Sequence, residues 1–241
     1  MGETTKERPI LFSAPMVRAI LDGKKTQTRR VVKGLPAVSL AGDVAPVTDG
    51  KRWAISRSRL DHRGGAAWPA DPKPGLLCPY GKPGDRLWVK ETHAFIEGGE
   101  YDPLNGDYHD IYSVGGPVKP HEYALAYRAD DAWQDTCNSE GITWRPSIFM
   151  PRWASRITLE VTGVRVERLQ DISGEDAVSE GISIPRCTCE VCVRSSTMCT
   201  ADASAAAMEY RTLWESIHGP GAWDANPWVW VVSFKRAEEA A

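Results

Sequence analysis

Long apolar runs are missing from this 241-residue chain. None approaches the roughly 18 residues that a membrane-spanning helix requires. The N-terminal "MGETTKERPILF" has neither the apolar core nor the cleavage pattern of an export signal, so a cytoplasmic protein is expected. An excess of one charge is missing too: 29 Lys and Arg stand against 32 Asp and Glu, a net charge of −3. That excludes indiscriminate coating of nucleic acid, which needs many unopposed cations, while leaving room for a local basic patch. Internal repeats are absent, and low complexity is confined to the alanines of 203–207. What the chain does have is 42% hydrophobic residues and ten tryptophans, the composition of a folded domain.

Periodicity places the elements. "APMVRAILDG" puts Met16, Val17 and Ile20 on one helical face, with Gly23 as its C-terminal cap. The basic segment that follows reads as loop or strand. Residues 34–82 are rich in Gly, Pro, Asp and Ala and read as a long insertion with little regular structure. "GDRLWVKET" (84–92) alternates Leu87 and Val89 against Trp88 and Lys90 after a turn, a strand signal. A second insertion covers about 97–120, and "YALAYR" (123–128) reads as a short buried strand. In "ASRITLEVTGVRVERL" (154–169) Ile157, Leu159 and Val161 alternate, Gly163 marks a bulge or turn, and Val164 and Val166 continue out of phase. Ser173 caps a helix over "GEDAVSEGI", with Asp176 in the capping-box position. A third insertion spans about 183–200. Residues 201–219 carry Tyr210, Leu213, Trp214 and Ile217 as one apolar helical stripe. "NPWVWVVSFKR" (226–236) is a strand whose two faces should both be buried, and the acidic, alanine-rich end beyond it should fray. About five strands and three helices make this an α+β chain, and a small β-barrel with flanking helices is the expected architecture.

The stretch "GKKTQTRR" (23–30) carries the clearest chemistry. It follows a helix C-terminus, so no helix dipole helps it to hold an anion and its cations must act directly. Arg29 and Arg30 offer bidentate forks and Lys25 a point charge; a plain solvated charge run is the alternative. If the stretch is extended, Lys25 points away from Thr28 and Arg30. "CTCEVCVRSSTMC" places Cys187, Cys189, Cys192 and Cys199 where one loop can supply four thiolates to a structural zinc, against unpaired surface thiols. His218 or Cys137 can replace one ligand, and Cys78 reads as a core residue. Most tryptophans (88, 144, 153, 214, 228, 230) read as core. Trp53 and Trp68, near Arg52, Arg57, Arg59 and Arg63, are better placed for nucleic-acid contact. His93 reads as a structural histidine.

In order, these segments resemble the ASCH-domain family: a G-x-K-x-x-x-x-R segment after the first helix, a G-D-x-L strand and an E-V-T strand. "RPILFSAPMVRAILDGKKTQTRR" and "WDANPWVWVVSFKR" are similar to phrases of its larger phage and prophage-encoded members. The resemblance covers most of the chain, interrupted at the three insertions. It implies one domain with a PUA-like β-barrel of about five to six strands, a fold associated with RNA and modified-base recognition, working in the host cytoplasm if the gene is a phage's. One branch of the family hydrolyses the amide of N(4)-acetylcytidine with a lysine, a threonine and a glutamate. Its K-T-x-T-x-R matches Lys25, Thr26, Thr28 and Arg30, and its glutamate aligns with Glu180. The resemblance thus implies Lys25, Thr28 and Glu180 as catalytic, with Thr26 and Arg30 binding a nucleoside or RNA; Arg29, beside them, is expected to bind with Arg30 through its own guanidinium fork, and no organic cofactor is expected. A non-catalytic reader of modified bases and a ribonuclease are the alternatives.

Overall fold

The computed structural model describes residues 5–33, 44–46, 52–55, 59–60, 66–67, 76–97, 123–130, 141–183 and 200–237. Strands β1 (Glu7–Leu11) and β2 (Gln27–Val31) flank helix α1 (Ala14–Leu21). Then come β3 (Val44–Pro46), β4 (Arg52–Ile55), β5 (Arg59–Leu60), β6 (Ala66–Ala67) and β7 (Leu76–Leu77). β8 (Arg86–Lys90), β9 (His93–Glu97), β10 (Tyr123–Tyr127) and β11 (Thr158–Arg168) precede α2 (Gly174–Ser179), α3 (Thr200–His218) and β12 (Trp228–Arg236).

The principal sheet has the order β1-β8-β11-β12-β2, and β9 and β10 form a separate antiparallel pair. Only β1 and β8 run parallel within the principal sheet. Among the described residues no backbone ladder joins the edge strands β1 and β2, so the sheet is open. A side chain spans the gap instead: Arg30 Nη2 on β2 donates to the carbonyl of Leu11 on β1 at 2.8 Å. The chain is a mixed α+β structure.

β12 explains why its sequence is nearly all apolar. Trp230, Val232 and Phe234 pack into one core with α1, β1, β8 and β11. Val229 and Val231 pack into a second core, with Leu169 and the Tyr210 and Trp214 side chains of α3. Strand alternation sends successive residues to opposite faces, so a strand between two cores has no polar side. The bulge expected at Gly163 is present as a register shift between Val161 and Gly163.

Local chemistry sets the ends of both short helices. α1 ends in a Schellman motif, with Lys24 N–H donating to Ala19 O, Gly23 N–H to Ile20 O, and Gly23 at φ +71°. Ser173 caps α2 by accepting from Asp176 N–H, but the Asp176 side chain turns to arginines rather than closing the capping box.

Three expectations need correction. Residues 34–82 are not without regular structure: β3, β4 and β7 form a three-stranded sheet and β5 pairs with β6. The compositional reading missed them because these strands are two to four residues long, shorter than a periodicity window can register. The apolar stripe of α3 is only half core: Tyr210 and Trp214 are buried, whereas Ile217 is 53% exposed. Trp153, read as core, is 41% exposed. Cys78 is buried in the main core as expected. Residues 98–122, Cys137, the four cysteines of 187–199 and the chain beyond 237 lie outside the described residues, as do the side chains of Trp53 and Trp68.

Candidate functional site

β2 pairs with β12 so that Arg29 stands beside Val231 and Thr28 and Arg30 beside Val232 and Trp230. The two adjacent arginines therefore go to opposite faces of the sheet. Arg29 enters the second core under α2 and α3, and Arg30 lies over the face that carries Phe12. Because β2 is an edge strand, both faces still reach one region beside its free edge.

On the Arg29 side lies a buried ionic cluster. Lys25 Nζ donates to Glu180 Oε2 at 2.6 Å and to the Glu180 carbonyl at 2.7 Å; the two side chains are 0% and 4% exposed. Glu180 is the C-cap of α2, so the ammonium also lies at the negative end of that helix. Gly181 makes the approach possible: its φ is +94°, and a Cβ there would lie 3.3 Å from Lys25 Cβ and 3.1 Å from Ala19 Cβ. Arg29 Nη1 donates to Glu180 Oε1 at 3.3 Å and to Gln27 Oε1 at 2.9 Å. Its Nε and Nη2 reach Glu167, and Nη2 also reaches Asp176 Oδ2 at 3.0 Å. All five N–H donors of Arg29 are thus engaged within the protein. Arg165 closes the network, donating to Glu167 Oε2 at 3.0 Å and Asp176 Oδ2 at 2.8 Å. Lys25, Arg29 and Arg165 balance Glu167, Asp176 and Glu180.

Burial pushes the Lys25 pKa below its ordinary value; Glu180 opposes this and the charges of Arg30 and Arg29 add to it. Burial acts against the charged form of Arg29 as well, but Glu180 and Glu167 outweigh it and hold the guanidinium ionised. Burial raises the Tyr210 pKa well above the phenol range, with the neighbouring Glu180 charge adding to it, so Tyr210 stays a neutral donor.

Beside this cluster opens a cavity of about 460 Å³. Arg29, Arg30, Glu180 and Tyr210 form its charged and polar end. Phe12 and Met16 come from the β1–α1 side, Thr92 and Ser147 from beyond β8, and Leu213, Trp214, Ile217 and His218 from α3. Tyr210 packs its ring 5.8 Å from the Arg29 guanidinium and is 3% exposed. His218 stacks on Trp214 at 4.0 Å between ring centroids.

The structure brings Lys25, Glu180, Arg29 and Arg30 together. Glu180, Arg29 and Arg30 reach the cavity wall; Lys25 and Thr28 lie behind it. Thr28 is fully buried, and its Oγ1 accepts from Arg30 Nη1 at 3.0 Å. No hydrogen bond joins it to Lys25 among the described residues. Both cations approach the Phe12 ring instead, Lys25 Nζ at 5.7 Å and the Arg30 guanidinium at 5.3 Å. Thr26 stays apart: its side chain is exposed and only its backbone is engaged, with Ser179 and Phe234. His93 is buried beside Glu91, Nδ1 facing the Glu91 carbonyl at 3.2 Å, and Nε2 has no partner, so it is less fully satisfied than expected.

Sequence reasoning missed Tyr210, Glu167 and the second role of Asp176. Tyr210 was legible only as one member of an apolar stripe, and nothing local shows that a carboxylate will meet an arginine more than a hundred residues away. Among the described residues no group of three or more His, Cys, Asp or Glu side chains can hold a metal ion. No described helix is long and apolar enough to cross a membrane. Comparison of the chain with known protein families, with curated proteins and with solved structures finds no match.

Proposed function

We propose that this chain is an ASCH-type domain on a PUA-like scaffold that takes a nucleoside, or an exposed base of RNA, into the cavity off the β2 edge and hydrolyses an amide on its exocyclic nitrogen. The observation that carries this reading is the buried Lys25–Glu180 pair, whose carboxylate reaches the wall of a cavity flanked by Phe12 and Tyr210. Aromatic walls suit a planar base, and a carboxylate beside guanidinium and phenol donors suits its polar edge. The hydrogen bond from Arg30 on β2 to the Leu11 carbonyl on β1 links the two edge strands of the open sheet and supports a barrel-like scaffold.

In this reading Lys25 is the base. Its lowered pKa eases loss of the proton, and the neutral amine accepts the proton of the attacking hydroxyl, that of Thr28 or of a water. Glu180 carries a proton to the leaving nitrogen. Arg30 and Tyr210 steady the carbonyl oxygen as it gains charge. In either case the acyl C–N bond breaks and the nitrogen takes a proton: attack by water gives the carboxylic acid directly, whereas attack by Thr28 gives an acyl ester that a water then hydrolyses, and both routes end in a carboxylic acid and the free amino base. Cys187, Cys189, Cys192 and Cys199 would hold a structural zinc outside this chemistry.

The test is incubation of the purified protein with N(4)-acetylcytidine, following release of cytidine, with Thr28→Ala and Glu180→Gln alongside. Turnover lost in Glu180→Gln supports hydrolysis, and its loss in Thr28→Ala assigns the nucleophile to Thr28 rather than water. The complete burial of Thr28 favours a second reading, a reader that binds the modified base without turnover. Binding of N(4)-acetylcytidine with no cytidine released decides for the reader, and cleavage of bare RNA with no effect on the nucleoside decides for a ribonuclease.

A further inference from the structure

The cavity is longer and more apolar than recognition of a base edge requires. Its charged end is anchored where Tyr210 meets Arg29 and Glu180. From there α3 continues as a wall, and the next inward positions are Leu213, Trp214 and Ile217. At 1.5 Å per residue, Ile217 lies about 10 Å farther along the helix than Tyr210. Leu213, Trp214 and Ile217 make that stretch apolar or aromatic, and the His218 imidazole follows at its far end. From across the cavity Leu11 and Met16 contribute more apolar surface. Leu11 is 44% exposed and Ile217 53%, so both leave uncovered area that a ligand can bury. Thr92 and Ser147, by contrast, line the cavity from the β8–β9 connection and a separate 3-10 turn, and offer a sugar hydroxyl partners away from α3.

Resting on the proposed function, we infer that the amide substrate carries an apolar acyl group of several carbons, which lies along Leu213, Trp214 and Ile217 while the base and sugar occupy the Arg30, Thr92 and Ser147 side. The preferred substrate is then a medium-chain or aromatic N-acyl nucleoside rather than the acetyl derivative. The reaction releases the corresponding carboxylic acid and the unmodified amino base, with water as the only co-reactant. Leu213 and Ile217 act as specificity-determining residues. They touch the chain and not the reacting atoms.

The experiment measures binding and turnover of N(4)-acetyl-, N(4)-butanoyl- and N(4)-hexanoyl-cytidine by the full chain. Burying one methylene corresponds to about a four-fold gain. Partial burial along an open wall should still favour hexanoyl over acetyl by at least roughly ten-fold. In Ile217→Ser and Leu213→Ser that ratio should fall toward one, and because it is taken within each protein, a general loss of activity does not mimic the effect. Acetyl turnover with no gain on lengthening overturns this inference and leaves the hydrolase reading standing. Tighter binding of the hexanoyl derivative without hydrolysis keeps the inference and overturns hydrolysis. Failure to bind any member of the series overturns both.

Discussion

Removing one partner of the Lys25–Glu180 pair should cost far more than removing both. At 2.6 Å, with the side chains 0% and 4% exposed, the gross attraction is about 6 kcal/mol at an effective dielectric constant of 20. Desolvating each ion costs several kcal/mol, so the intact pair is close to neutral for stability. A lone survivor keeps its desolvation cost without the attraction. Lys25→Met should therefore lose about 3 kcal/mol, at the low end of the range for broken buried pairs because Arg29 still reaches Glu180. Glu180→Gln should lose a similar amount. In that variant the raising effect of Glu180 on Lys25 is gone and burial still lowers its pKa, so the folded state binds fewer protons than the unfolded one. Its stability then falls as pH drops through the folded value and is regained as pH rises toward 10.5. The double variant should cost about as much as either single, a coupling of about 3 kcal/mol. Urea unfolding of the four proteins at pH 7 measures this. Single losses below about 1 kcal/mol, or losses additive within about 0.5 kcal/mol, refute the buried-pair reasoning.

Tyr210→Phe keeps the ring against Arg29 and removes only the hydroxyl, so stability should change by no more than about 1 kcal/mol while affinity for an acylcytidine falls about ten-fold. Equal affinity in calorimetric titration removes Tyr210 from the site. Gly174→Ala places a Cβ 2.4 Å from Ala203 Cα and 2.6 Å from its Cβ, which forces α2 and α3 apart. A loss of at least 1–3 kcal/mol in chemical denaturation is expected, roughly the range for overpacking. For Asp176, burial acts to raise the pKa but Arg29 and Arg165 outweigh it and hold it below 3.8. Its contribution is fully present above that value and is lost as pH falls through the folded pKa, so Arg165→Met should flatten the acid limb of a urea-midpoint titration. An unchanged limb counts against the network. Protein purified without chelator should carry about one zinc per chain and lose it in Cys192→Ser; a metal content far below that excludes the four-cysteine site.

Most elements outside the insertions were legible because their signals are local. Helix α1 with its Gly23 cap, the Leu87 and Val89 alternation of β8, the Gly163 bulge and the Ser173 cap each depend on residues a few positions apart. β9 was not read as a strand, and its antiparallel pairing with β10 supplies the order that its own pattern does not. The "RR" pair shows the limit within the site. Two adjacent arginines read as one basic wall, yet the β2 register sends Arg29 into three carboxylates and Arg30 toward Leu11 and Thr28.

By itself the sequence determined an α+β chain with a two-sided apolar strand at its end and a Lys–Thr–Arg segment leaving the first helix, since these follow from periodicity and from turn and cap chemistry. The resemblance placed Lys25 and Glu180 in one site, but only the tertiary structure decided that they form a buried ion pair across 155 positions, that Thr28 lies behind the cavity wall, and that half of the α3 stripe lines a cavity rather than a core. The physical reason is range. An amphipathic pattern records which faces avoid water but not whether another side chain or a ligand covers them, and a charge records a need for a partner without naming it.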